Sequence, residues 1–178
     1  MSNAVYILSS LPMLRFGDVP PFSVATFRHR CAGVLTEDEL DAFDALLEGR
    51  ESEDPFVSAY QARETQMKNV AGRLRASAWG PDVRFSERMY KGYDVAFAKK
   101  VSDAFAKSNP LEKEEEIDRA RFALVDELAP VGEPTVEHVY AFAVKLAICE
   151  RWARLSDEAG NAEVLKVINE NDPAHRQE

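Results

Sequence analysis

The chain has 178 residues, 46% hydrophobic and 30% charged, with 8 Gly, 9 Pro and 2 Cys, a composition that excludes collagen-like, low-complexity and disulfide-stapled scaffolds. Twenty-two Lys and Arg against 31 Asp and Glu leave a net charge of −9, which repels phosphate backbones and argues against nucleic acid as a partner. Chains of this length bury roughly 70% of their unfolded surface, so one core can form without metal or disulfide.

The first 22 residues read as an extended lead-in. Val5-Tyr6-Ile7-Leu8 is β-prone, and Pro12, Gly17, Pro20 and Pro21 punctuate the loop after it, so Tyr6, Leu8, Leu11, Met13, Leu14 and Phe16 are expected to pack against the helices beyond it. The signals then turn helical. Ser23 is a candidate N-cap with a Phe22/Phe27 staple, which predicts a short helix to about Gly33. Thr36-Glu37-Asp38-Glu39 is a capping box between Leu35 and Leu40, with Leu40, Phe43, Leu46 and Leu47 as the apolar stripe. Asp54-Pro55 starts a long helix whose Phe56, Tyr60, Met67, Val70, Leu74 and Trp79 recur at helical intervals until Gly80-Pro81 stops it.

Ser86, with a Phe85/Tyr90 staple, predicts the next helix, in which Met89, Tyr93, Phe97, Val101 and Phe105 fall at every fourth position. Asn109-Pro110 opens another with Ile117, Ala120, Leu124 and Leu128 inward. After the loop 129–134, Thr135 caps the most apolar helix, with Val139, Phe142, Ala143, Leu146, Ala147 and Trp152 inward. Ser156 restarts a last short helix with Val164, Leu165 and Ile168 inside. The expected fold is all-α, an irregular bundle of about six to seven helices with a short extended N-terminal segment. Residues 1–22 form the lead-in, 23–170 one helical domain and 171–178 a frayed tail. A boundary near Trp79-Gly80-Pro81 is the alternative, but neither half alone covers its apolar stripe.

Charge is unevenly spread. Residues 36–54 hold nine acids and one base (net −8), residues 63–100 nine bases and four acids (net +5), and residues 112–133 eight acids and three bases (net −5). These segments either neutralise one another as solvated helix faces or form a polarised docking surface.

Chemistry-bearing motifs are scarce. His29, His138 and His175 lie far apart, with no HExxH, HxxxH or Glu-x-x-His pair, so no metal site is expected. Asp172-x-x-His175 sits in the tail without a shell to orient it. Gly72, Gly80 and Gly92 stand singly and make no phosphate loop, and there is no GxSxG elbow. Cys31 and Cys149 read as buried structural cysteines in a reducing, cytoplasmic setting, and the apolar run Ala4 to Leu8 is far too short for a signal or membrane segment. No catalytic residue and no cofactor is expected.

Two helices carry polar side chains beside their apolar stripes. The long one has Glu64, Lys68, Asn69 and Arg73; the apolar one has Lys145, Glu150 and Arg151 next to Trp152. An unpaired buried charge costs several kcal/mol, so Glu150 or Lys145 is expected to meet Arg73, Arg75 or Glu64 across a helix interface. The alternative is an enzyme using Glu64, Arg73 and Glu150 in an interhelical pocket, but two acids and several bases without a nucleophile define no reaction.

Tyr6-Ile7-Leu8-Ser9-Ser10-Leu11-Pro12-Met13-Leu14, continuing to Asp18 and with Pro20-Pro21-Phe22-Ser23 after it, resembles the opening of a bacterial family of unknown function whose genes tend to lie among those of V/A-type ATP synthases. Glu64-x-x-Met67-Lys68-Asn69-x-x-x-Arg73 is similar to a helix of that family and of the C-type subunit of V/A-type ATPases, known as d in eukaryotes. Tyr140-Ala141-Phe142, Lys145-Leu146 and Glu150-Arg151-Trp152 look like the family's closing helix. Lys68 stands where the family motif usually has Arg, which keeps the charge but loses the planar fork. The resemblance implies an all-helical, non-catalytic component, accessory, assembly or central-stalk-like, that docks to V/A-type ATPase subunits on their soluble side. The chain is much shorter than that funnel-shaped ATPase component and could hold only part of the funnel. The competing expectation is a stand-alone interaction module, including a homodimer through Phe97, Val101 and Phe105.

Overall fold

A computed structural model describes residues 4–155 together with 160, 164 and 166. Among them the secondary structure is helical, with no strand: α1 (Ala4–Ser9), α2 (Val24–Cys31), α3 (Glu37–Glu48), α4 (Pro55–Trp79), α5 (Val95–Phe105), α6 (Pro110–Leu128) and α7 (Val136–Ala153). Four of the helix-start signals, at Ser23, Thr36, Asp54 and Asn109, operate as expected. Ser23 Oγ accepts from the Thr26 amide, Thr36 and Glu39 form a reciprocal box, and Asp54 accepts from the Val57 amide ahead of Pro55. Asn109 does the same before Pro110, accepting from the Leu111 amide. The Phe22/Phe27 staple closes with ring centroids 5.9 Å apart.

α6 packs against α4, α5 and α7, and α7 packs in turn against α1, α2 and α3. All seven helices contribute to one continuous apolar cluster. Its aromatic centre joins Phe27 to Phe22, Phe43 and Phe142, while Phe16 of the lead-in sits edge-on to both Phe122 and Trp152. Phe97 and Val101 are buried and Phe105 is half-buried, so this stripe is covered internally and is not open to a second copy.

The structure corrects the expectations at four places. Val5 to Leu8 are helical, because Ala4 and Ile7, three apart, both bury against the core at 2% and 4% exposure; helical spacing outweighs β-propensity there. Leu8, Leu11, Leu14 and Phe16 pack inward, but Tyr6 and Met13 stay exposed. Leu74 and Trp79 also remain exposed, although Arg75 between them reaches Phe105 at the end of α5. Residues 80–94 after α4 form a non-helical strap.

No helix begins at Ser86. α5 starts nine residues later, where Asp94 Oδ1 accepts from the Phe97 amide at 2.9 Å. Gly92 has φ +70°, left-handed backbone that a right-handed helix cannot contain. Met89 and Tyr93 therefore face solvent. Of the predicted last helix, Gly160, Val164 and Lys166 have helical backbone and Val164 is exposed, not inward. Its start at Ser156, together with Leu165 and Ile168, lies outside the described residues, as do Asp172, His175 and the tail 171–178.

Candidate functional site

The polar residues singled out from sequence are distributed over several separate contacts. The densest is a hub on Asp118, an α6 carboxylate 1% exposed. Its Oδ1 accepts from Arg121 Nη1 at 2.7 Å, and its Oδ2 accepts from Trp152 Nε1 at 2.7 Å and from Arg151 Nη2. Arg121 aims the rest of its fork at Glu64 on α4, Nε to Oε1 at 2.7 Å and Nη2 to Oε2 at 2.9 Å. One acid thus ties α6 to α7 and, through Arg121, to α4. Burial opposes the Arg121 charge, but the hydrogen bonds it donates to Glu64, the Glu64 charge and the hydrogen bond it donates to Asp118 override it and hold the guanidinium above its ordinary pKa. Tyr60 lies beside Glu64, and burial followed by the Glu64 charge pushes its phenol upward too.

The expected pairing of Glu150 or Lys145 with Arg73, Arg75 or Glu64 does not form, because α6 stands between α4 and that part of α7. Lys145 Nζ instead reaches Asp126 of α6 and lies 5.2 Å from the centre of the Phe122 ring. Glu150 Oε2 accepts from the Val24 amide at 2.9 Å, so a side chain of α7 caps the first turn of α2, and Glu150 also pairs with Arg154. Arg73 pairs with Glu87 of the strap at 3.1 Å. Arg75 lies over the Phe105 ring. Glu64, Arg73 and Glu150 therefore share no pocket.

Asn69 belongs to another contact, made together with Gln66, whose backbone partners the sequence does not reveal. Gln66 and Asn69, 0% and 1% exposed, use their side-chain amides as backbone mimics. Asn69 Nδ2 donates to the Arg88 carbonyl at 2.8 Å while its Oδ1 accepts from the Arg88 amide at 3.0 Å. Gln66 does the same to Asp94, at 2.6 and 3.0 Å. Three residues further along the same ridge, Phe85 lies so close to Gly72 that a Cβ there would overlap its ring. The ridge Gln66, Asn69, Gly72 thus holds Asp94, Arg88 and Phe85 in reverse order, and the strap runs antiparallel to α4. Lys68 is exposed.

Residues 92–172 match the family model described as "Protein of unknown function (DUF2764)". The match covers less than half of the chain; it includes α5, α6, α7 and the Asp118–Arg121–Arg151–Trp152 contacts, but neither the opening motif at Tyr6 nor Glu64 and Asn69. Its description names no activity and no ATPase. No curated protein and no solved structure matches the chain.

Among the described residues no three His, Cys, Asp or Glu side chains gather where they could hold a metal ion, and no helix is long and apolar enough to cross a membrane. His138 Nδ1 accepts from the Thr135 amide at 3.1 Å and closes the start of α7, while His29 is exposed. Burial raises the Cys31 thiol to about 12 and shifts Cys149 in the same direction, so both stay protonated and poorly nucleophilic at neutral pH. Among the described residues every buried side-chain nitrogen and oxygen has a hydrogen-bond partner.

Asp118, Arg121 and Gln66 are the residues that sequence reasoning missed. The signal for Asp118 was its place four before Phe122 and seven before Val125, an inward position given to an acid. Gln66 lies three before Asn69, the same ridge spacing, but nothing in the sequence says what an amide ridge will hold.

Proposed function

We propose that the chain is a non-catalytic helical adaptor that acts by docking to other proteins, with V/A-type ATPase subunits as its partners. The observation that carries this reading is the closure of the Asp118 hub: the acid most deeply embedded among the helices is committed to Arg121, Arg151 and Trp152. General acid-base work needs a group within reach of a substrate proton, and Glu64 is likewise occupied by Arg121. The similarity of the Tyr6, Glu64 and Tyr140 motifs to the ATPase-associated family supplies the partner.

Docking is favoured by the surface as well. Among the described residues no ion pair joins the acidic segment 36–54 to the basic segment 63–100, so each keeps its own field for a partner to meet. Affinity purification of the tagged chain at low salt, from cells that contain a V/A-type ATPase, is expected to recover ATPase subunits. A clean preparation lacking every one of them overturns the ATPase assignment.

A further inference from the structure

We infer that the groove between the C-terminal end of α3, the middle of α4 and the strap receives the same groove of a second copy of this chain, in a two-fold dimer. The groove is open and about 950 Å³ in volume. One wall presents Glu48 and Glu51, the other Lys68, Arg88 and Lys91, and all five are exposed. Glu51 and the three bases form no ion pair among the described residues, and Glu48 pairs with its exposed neighbour Arg50. At the rim stands Met89, 97% exposed, above a floor that includes Leu46, Leu47 and Tyr60.

The order of charges selects the occupant. A uniformly anionic surface, lipid or nucleic acid, would be attracted by one wall and repelled by the other at equal range. An occupant must instead present both signs in reversed order. A two-fold axis through the groove achieves this without further design, because whatever residue i meets as j, j meets as i. Glu48 and Glu51 of each copy then face Lys68 and Lys91 of the other, and Met89 of each enters the other's floor. Beside it on the strap, the half-buried Tyr90 also lines the groove. Methionine, aromatics and arginine are the residue types enriched at interface centres. Each copy carries −9 overall, so the contact depends on salt high enough to screen the bulk repulsion but not the groove, around 0.1 M, where the Debye length is about 10 Å.

Sedimentation equilibrium at about 0.1 M salt reads this directly. The wild-type chain is expected to form a dimer that weakens in about 1 M salt. Reversing one wall in the double variant Lys68→Glu, Lys91→Glu is expected to abolish it, as is reversing the other in Glu48→Lys, Glu51→Lys, with circular dichroism unchanged in both. Mixing the two variants is expected to restore a dimer containing one of each. Met89→Asp provides a separate disruption that leaves both walls intact. A wild-type chain that stays monomeric overturns the inference. So does a dimer indifferent to both reversals, or a mixture of the two variants that fails to associate.

Discussion

α4 buries polar side chains at two places, and they answer different needs. Toward α6, Glu64 meets Arg121 and, beyond it, Asp118; charge is set against charge, and what is held together is helix. Toward the strap, Gln66 and Asn69 meet backbone; what is held is a segment with no secondary structure of its own. Charges suit the first task because removing two ions from water is compensated only by close, multiply hydrogen-bonded pairing. Neutral amides suit the second because one side chain offers both a donor and an acceptor, the two groups that an unpaired residue of backbone needs.

The two places should therefore fail differently. Asp118→Ala leaves Arg121 and Arg151 without their shared acid and Trp152 without an acceptor, and is expected to cost about 3–5 kcal/mol in urea unfolding. Asn69→Leu is expected to cost less, about 1–3 kcal/mol, but to act locally: the Arg88 amide should exchange with solvent much faster than in the wild type. If the Arg88 amide is as protected in Asn69→Leu as in the wild type, the strap has another anchor.

Alkaline titration probes burial in the core. The folded Cys31 thiol holds its proton up to about 12, whereas the unfolded one releases it near the ordinary 9.0. Between those values the unfolded chain binds fewer protons, so rising pH favours unfolding. The urea midpoint is expected to hold up to about pH 9 and then fall, more steeply above 10.0 as Tyr60 and Tyr140, both raised first by burial, join in. Cys31→Ser should flatten the first part of that decline.

Smaller effects sharpen the contrast. Glu150→Ala removes the acceptor of the Val24 amide and is expected to cost about 1 kcal/mol, the usual worth of a helix cap. Gly72→Ala should be nearly neutral overall, because the helix gains up to about 1 kcal/mol in propensity while Phe85 is driven off its seat. Trypsin cleavage at Arg84 and Arg88 should nevertheless accelerate. Unchanged cleavage would mean that Gly72 does not seat the strap.

How much could be read in the sequence tracked the reach of each interaction. Ser23, Thr36, Asp54 and Asn109 act within three residues of themselves, so their helices were visible without tertiary information. The strap was not, because Asn69 competes for the Arg88 backbone from nineteen residues away, and a local staple at Phe85 and Tyr90 gives no hint of that. Of the charges singled out, Glu64 is largely buried and Arg151 is exposed. Their meeting through Arg121 and Asp118 depends on α6 lying between α4 and α7, and spacing along one helix does not reveal which helix stands opposite.

The central claim is that the embedded ions act as a clamp between helices. A double-mutant cycle on Glu64→Gln and Arg121→Met, read by equilibrium unfolding, tests it most directly. A coupling energy of about 1–3 kcal/mol is expected, the double variant being less destabilised than the two single losses combined. Losses that add to within about 0.5 kcal/mol would show two charges that do not hold each other, and would contradict the clamp.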